Sequence, residues 1–444
     1  MMKVDEFGLP RDLGDRLLLR WGKPEDAEEL GQFNVRIHSD NPESPDTFLA
    51  HWTHDLMNGR HPTTSASDFT VVIDQNSGKI VSSLCLISQT WTYDGIEFAV
   101  GRPELVGTDT AYRRRGLVRA QMEAVHAKST ACGEMVQAIT GIPWYYRLFG
   151  YEMGLDLGGS RQFFWGRRGN DKPVENETYS LRPATLADIS ILQTLYQVHC
   201  NRSRITRVRD ETLWRYEMTE THPDSEIRRD VQMIETSDGQ VMAYVEYRQW
   251  GTGFIVREFG VLPGHSCRAA ALFIIRILKV KADELNKSRA KLIDNVSFNL
   301  GHDHPVYEAL GNQLEQQVPA YAWYIRVPDL PGFLWHIAPV LEKRLASSVM
   351  AGHSGTVRLN FMHSQLTLVF AAGRLQEMGT YEPNNTYDAD ALFPDLTFLQ
   401  LLFGYRSLAE LDHARADCGP ENVETAVLLN ILFPKQHSNV VWLG

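Results

Sequence analysis

From Phe69 to Thr108 the chain reads FTVVIDQNSGKIVSSLCLISQTWTYDGIEFAVGRPELVGT, short apolar runs broken at Asn76-Ser77-Gly78 and Asp94-Gly95. β-branched and aromatic runs bounded by turn formers predict strands joined by hairpins. The period then changes. Gly116 to Cys132 predicts a helix, Met135 to Thr140 a further apolar strand, and Trp144 to Phe149 a short aromatic helix. A second stretch follows the same pattern, in which DVQMIETSDGQVMAYVEYRQW predicts a hairpin, GFIVREFGVLP a strand, and RAAALFIIRILKVKADELN an amphipathic helix. From VPDLPGFLWHIAPVLEKRL onward the order differs, with a helix first, then alternating strands in GTVRLNFMHSQLTLVFAAGRLQEM, then helices in PDLTFLQLLFGYRSLAEL.

The first two stretches share an internal echo. LRWGKPEDAEEL begins at Leu19 and LRPATLADISIL at Leu181, 162 residues on. In both, an Asp follows the Leu-Arg pair near a helix start and a Leu closes the segment. Self-similarity at one domain length predicts a duplicated unit. At roughly 150 residues per domain, 444 residues accommodate about three domains. The polar segment Gly166 to Thr178 marks the first boundary, which gives units at 1–165, 175–328 and 329–444. The fold class expected is α/β, with α+β mixed sheets.

Composition narrows the function. The chain is 43% hydrophobic and 22% charged, as ordinary globular proteins are. Its 44 basic and 55 acidic residues leave a net charge of −11. That field disfavours nucleic acid and favours cationic partners. Cys85, Cys132, Cys200, Cys267 and Cys418 are far apart and form no CxxC pair, which predicts reduced thiols in a cytoplasmic protein. The N-terminus is polar and acidic, so no signal peptide is expected, and the apolar run at Ala269 to Ile275 is too short to span a membrane. The histidines at 38, 51 and 54 match no metal-site pattern, His302 and His304 in GHDHP read as a turn, and no metal is expected.

Against the acidic background stands AYRRRGLVRAQM, from Ala111 to Met122. A strand, Glu104 to Thr108, runs into a turn that opens a helix. A helix N-terminus offers free N–H groups and a positive dipole end, and Gly116 removes a side chain where a phosphate needs close approach. Arg113, Arg114 and Arg119 add charge-assisted donors. This is a pyrophosphate cradle without the Lys-Ser/Thr pair of a nucleotide-hydrolysing loop or the spaced glycines of a dinucleotide fold.

RRRGLV after a strand resembles the acetyl-coenzyme A motif of GNAT N-acetyltransferases, Arg/Gln-x-x-Gly-x-Gly/Ala: Arg113 and Gly116 fit, and Val118 departs from the small residue. WYYRLFGYE is similar to the aromatic helix of the same superfamily. The whole chain resembles the enhanced-intracellular-survival (Eis) acetyltransferases: a GNAT domain, a degenerate GNAT domain, and a C-terminal domain like sterol carrier proteins. The turn VLPGHSCRAAAL in the second unit lacks Arg-x-x-Gly and is expected to bind no coenzyme A.

The resemblance implies direct acetyl transfer from acetyl-CoA, a co-substrate, to a primary amine of a cationic small molecule or a lysine side chain. It implies that the pantetheine arm lies along Val106, Gly107 and Thr108, with Gly107 supplying a bulge. Arg113, Arg114, Arg115, Gly116, Leu117, Val118 and Arg119 would hold the pyrophosphate, with Gly141 and Ile142 also touching the cofactor. Tyr146, four residues before Gly150, takes the place of the general acid. Two bases stay open: the C-terminal carboxylate of Gly444, or Glu104, placed by period-two alternation on the face of Val106. The acceptor pocket is expected around HSDNPESPDTFLAHWTHDLMNGRH, with EFGVLP and RSRITRVRD as further candidates to face it. Trp335, Phe361 and Phe370 would fill any tunnel in the last unit. Relatives of this type form hexamers, so a homo-oligomer is implied. The alternative is a non-catalytic coenzyme A or lipid-binding carrier or regulatory protein; a pure lipid carrier would need neither Arg113 and Gly116 nor Tyr146.

Overall fold

The computed structural model describes residues 4–166, 177–225, 227–385 and 387–440. Three mixed sheets organise the chain. The first runs, in spatial order, Arg11–Asp12, Leu17–Trp21, Phe69–Asp74, Lys79–Tyr93, Ile96–Thr108, Val136–Ile139, Tyr321–Arg326, Glu152–Leu157. The second runs Arg161–Phe164, Asn295–Phe298, Gly253–Val261, Val241–Trp250, Val231–Thr236, Tyr179–Pro183. The third is built from Arg374–Gly379, Gln365–Ala371, Gly355–Asn360, Ala391–Leu392 and Gly419–Pro420.

The internal echo has a physical basis. In the first copy, the Arg20 guanidinium donates two hydrogen bonds to the Asp26 carboxylate, at 2.7 and 2.8 Å, and Asp26 also accepts from the Lys23 N–H at 2.8 Å. In the second copy, Arg182 donates to Asp188 at 2.8 Å twice, and Asp188 accepts from the Thr185 N–H at 2.7 Å. Each bidentate pair ties a strand end to a helix N-terminus, leading into Ala27–His38 and Ile189–Cys200. The closing leucines, Leu30 and Leu192, are fully buried.

Sheet membership crosses the linear boundaries. Tyr321–Arg326 inserts between Val136–Ile139 and Glu152–Leu157 of the first sheet, while Arg161–Phe164 pairs with Asn295–Phe298 in the second. The two copies thus exchange their last strands. Ile205–Arg207 also pairs with Trp91–Tyr93 at the end of the first sheet. The third sheet is joined to the first by a common core in which Tyr93, Phe98 and Trp323 pack with Phe333, Leu399 and Phe403. Phe361 and Phe370 lie in this core, whereas Trp335, expected as filling, is 43% exposed.

Ile96–Thr108 pairs in parallel with Val136–Ile139 only at Val100–Val136 and Gly101–Gln137. Past Gly101 the two strands diverge. The outer edge from Arg102 to Thr108 opens as one wall of a wedge, and the helix Leu117–Ala131 starts at its mouth.

Candidate active site

A cleft of about 580 Å³ fills this wedge. Val106, Gly107, Thr108, Arg113, Arg114, Gly116, Leu117, Val118, Arg119, Ile142 and Tyr146 line it together. Arg115, Gly141 and Glu104, expected among them, stand elsewhere. Arg115 turns away, over the Tyr112 ring and toward Asp15 at 3.9 Å. Gly141 backs Tyr146, since a Cβ there would overlap the tyrosine ring.

The turn is shaped by its own residues. Asp109 accepts from the Ala111 N–H at 3.0 Å and fixes a single 3₁₀ turn, Thr110–Tyr112. Arg114 then takes φ 64° and Gly116 φ 77°, so the chain reverses into the helix. Gly116 occupies the N-cap with no side-chain cap, and a Cβ there would meet nothing within 4 Å. The first helical N–H groups are therefore left for a ligand. Arg113, Arg114 and Arg119 are exposed at the rim. Uncapped donors beside guanidinium groups suit a pyrophosphate.

The second copy is closed at the same place. The helix Cys267–Leu285 is capped by Ser266, whose hydroxyl accepts from the Ala269 N–H at 3.1 Å. His304 sets its Nε2 3.0 Å from the Phe259 carbonyl on the neighbouring strand and accepts from the Val306 N–H at 3.2 Å. The void beside Phe259 measures about 10 Å³.

The bulge sits at Leu105 and Val106, ahead of Gly107, the expected position. Cys85 pairs with Glu104 and Ser83 with Gly107, so Leu105 and Val106 share Leu84. Leu105 carries the irregularity at φ 51°, a conformation that costs a branched residue about 1–3 kcal/mol. Gly107 serves close approach instead: a Cβ there would lie 2.9 Å from Ile37 Cγ2 and 3.2 Å from His38 Nε2. The Gly107 carbonyl accepts from Ser82 Oγ at 2.9 Å, and Ser82 in turn accepts from Gln121 Nε2 at 2.7 Å. This buried relay pins the strand edge to the helix.

The extra residue also resets the faces. Val106 packs with Leu84 and Leu86, whereas Leu105 joins Cys85 and Ile87. Glu104, opposite Cys85, shares its face with Gly107 and not with Val106, contrary to simple alternation. Glu104 is buried and bonded to Arg102, which is fully buried and lies 4.7 Å over the Trp323 ring. Burial raises the Glu104 carboxyl above its ordinary range, and the Arg102 charge opposes that rise.

Tyr146, on the turn Tyr145–Phe149, is 6% exposed and packs against Tyr145, Phe149, Tyr151 and Tyr324. Burial, reinforced by the Glu104 carboxylate and neighbouring phenols, pushes its phenol well above the usual value, so it stays protonated. The exchanged strand matters here, because the Tyr324 hydroxyl accepts the Trp144 N–H at 2.5 Å and holds the turn.

The segment expected to form the acceptor pocket divides among three cavities. His38 lines the cleft. Asp40, Asn41, Ser44, Asp46 and Phe48 line a neighbouring cavity of about 610 Å³, with Arg229, Arg248, Trp250, Arg257 and Val440 opposite. His51 and His54 line a groove of about 930 Å³ with His222, while Trp52 is buried. Among the described residues, His51, His222 and Asp224 form a cluster of metal-ligating groups. The His51 and His222 rings are parallel and 3.7 Å apart, so their lone pairs run side by side instead of converging. RSRITRVRD and EFGVLP meet each other and not the cleft: Arg209 donates to Glu258 at 2.6 Å.

Gly444 lies outside the described residues. The preceding tail is docked: Arg204 bonds the Pro434 carbonyl, His437 meets Asp156 at 2.7 Å, and Asn439 donates to the Leu300 carbonyl at 3.1 Å.

Sequence reasoning did not find Arg102, the Leu105 bulge or the Ser82–Gln121 relay. Arg102 stands two residues from Glu104 in an apolar strand, a spacing that hints at a buried pair. Nothing in the sequence marks a leucine at positive φ.

Residues 41–154 match the family model described as Acetyltransferase (GNAT) domain. No curated protein matches the chain by sequence. Solved structures share its fold. A probable N-acyltransferase from Enterococcus faecalis is 13% identical, with 96% of this chain and 100% of that one covered and a TM-score of 0.68. Eis1 from Mycobacterium abscessus is 14% identical, with 96% and 99% covered and a TM-score of 0.58. N-myristoyltransferase from Saccharomyces cerevisiae, with bound myristoyl-CoA, is 10% identical, with 73% and 81% covered and a TM-score of 0.52. Among the described residues no helix is long and apolar enough to cross a membrane.

Proposed function

We propose that this chain, which carries a GNAT acetyltransferase domain and the acyltransferase fold, moves acetyl from acetyl-CoA directly onto a primary amine of a cationic small molecule or a lysine side chain. One observation carries the reading: the strand wedge, the uncapped helix N-terminus and the buried Tyr146 phenol share a single cleft. The cofactor supplies an activated thioester. The first helical N–H groups, with Arg113, Arg114 and Arg119, bind its phosphates. The edge from Val106 to Thr108, freed by the divergence past Gly101, pairs with the pantetheine amides. Tyr146 holds a proton beside the thioester sulfur, as a general acid does. Ile142 at the rim covers the arm, and Gly141 leaves room for the phenol.

The base is proposed from the same surroundings. Glu104 is tied to Arg102, which argues for a structural part. The Gly444 carboxylate is the other candidate, and the docking of residues 434–440 supports it. We read 1–165 as the catalytic unit and 175–328 as its degenerate copy, on the strength of the Ser266 cap. Residues 329–444 are read as a scaffold like sterol carrier proteins that delivers the tail, in a cytoplasmic homo-oligomer that needs no metal. The acidic balance favours a cationic acceptor. A thiol-release assay with acetyl-CoA over a panel of polyamines, aminoglycoside-like amines and lysine peptides tests this. Turnover with at least one amine is expected, and no release with any amine overturns the proposal.

A further inference from the structure

We infer that the His38 imidazole is the general base of this site, taking the proton from the acceptor ammonium. The inference rests on the acetyl-transfer reading above.

His38 is the last residue of the helix Ala27–His38, which packs on the bulged strand. Ile37 and His38 line the cofactor cleft; Asp40 and Asn41, two and three residues on, line a separate cavity of about 610 Å³. The ring reaches the strand edge, with Nε2 3.2 Å from the position a Cβ on Gly107 would take. Nε2 is shielded from solvent and has no hydrogen-bond partner. In a neutral ring with its proton on Nδ1, Nε2 is an acceptor without a partner. An orphaned buried nitrogen costs about 1–3 kcal/mol and calls for an explanation, and a ligand proton supplies one.

The groups around the ring are consistent with a neutral base. Arg113, Arg114 and Arg119 face the cleft from the turn and helix, Tyr112, Tyr145 and Tyr146 from the turns, and Glu104 stands on the strand. Arg36, on the same helix, reaches Asp109 at 3.8 Å. Burial lowers the His38 value below the ordinary 6.5, so the ring is neutral at pH 7. Glu104 lacks this combination, because it does not line the cleft and it is held by Arg102.

The chemistry balances. Nε2 accepts one proton from the ammonium, and the amine lone pair forms the C–N bond at the thioester carbonyl carbon. The C–S bond breaks and its electron pair stays on sulfur. The thiolate takes a proton through Tyr146, which is replenished by the second proton leaving nitrogen. His38 returns its proton to water. The products are the amide, free coenzyme A thiol and one proton.

The test compares wild type with His38→Gln and His38→Asn, using the amine that wild type turns over best. Expected is a fall in kcat/KM of roughly 10²–10⁴-fold, the usual worth of a general base. Coenzyme A affinity by calorimetry stays unchanged. The wild-type acid limb, set below pH 6.5, disappears from the variant profiles. If either variant keeps its rate within a few-fold and retains the acid limb, His38 is not the base. If rate and coenzyme A affinity fall together, the ring shapes the cleft and the inference is also overturned. If wild type turns over no amine at all, the acetyl-transfer reading itself fails, which is a separate result.

Discussion

Glu104→Gln separates a structural carboxylate from a catalytic one, because the structure assigns its cost in advance. Arg102 is fully buried under the Trp323 ring and bonded to Glu104. Removing the carboxylate charge leaves a guanidinium that cannot shed its proton. Breaking a buried pair in this way costs about 3–5 kcal/mol. At roughly 2–4 °C per kcal/mol for a domain of this size, the melting temperature falls by about 6–20 °C. Arg102→Met leaves Glu104 instead, and that group has an escape. Its value is already raised by burial, so it protonates and the penalty is smaller. A carboxyl raised in the folded state stabilises fully below its unfolded value and loses that contribution as pH rises through the folded value. Arg102→Met is therefore closest to wild type near pH 4.5 and weaker at pH 8. Replacing both residues, Arg102→Met with Glu104→Leu, recovers most of the loss. Chemical denaturation of the four proteins at pH 5 and pH 8 completes the double-mutant cycle, with turnover measured on the same samples. A Glu104→Gln variant that melts with wild type while losing its rate would overturn the structural assignment and make Glu104 the base.

Three further outcomes are expected. Tyr146→Phe keeps the ring packing and removes the proton, so kcat drops by roughly 10²-fold or more while the coenzyme A Kd changes by about twofold at most; a parallel loss of both would remove the general-acid role. Arg114→Ala weakens coenzyme A binding by about 1–3 kcal/mol, read by calorimetry, and the deficit shrinks at high salt; unchanged affinity rejects the phosphate contact. Asp188 is held at about 2, against 3.8 when free, first by the Arg182 hydrogen bonds. A depressed carboxylate stabilises above its unfolded value and loses that contribution as pH falls through the folded one. The melting-temperature gap between wild type and Asp188→Ala should thus be constant above about pH 5 and narrow between about pH 4 and 2; a pH-independent gap contradicts the pairing.

Whatever depends on local pattern can be read from the chain without its fold. The echo at Leu19 and Leu181 is legible because an Arg–Asp pair bridges a strand end and a helix start within eight residues. The phosphate cradle is legible for the same reason, since turn, glycine and helix N-terminus are contiguous. Tyr146 is legible through its spacing to Gly150. Which strands complete which sheet is settled only by long-range packing. The exchange of Arg161–Phe164 and Tyr321–Arg326 joins segments about 130 to 170 residues apart, and no local propensity encodes that choice. Packing also sets the face of Glu104, because one extra residue at Leu105 reverses the alternation on which a face is read. Finally, it places His38 beside Gly107, a contact between a helix end and a strand almost 70 positions away, where burial and an unfilled acceptor give an ordinary histidine its chemistry.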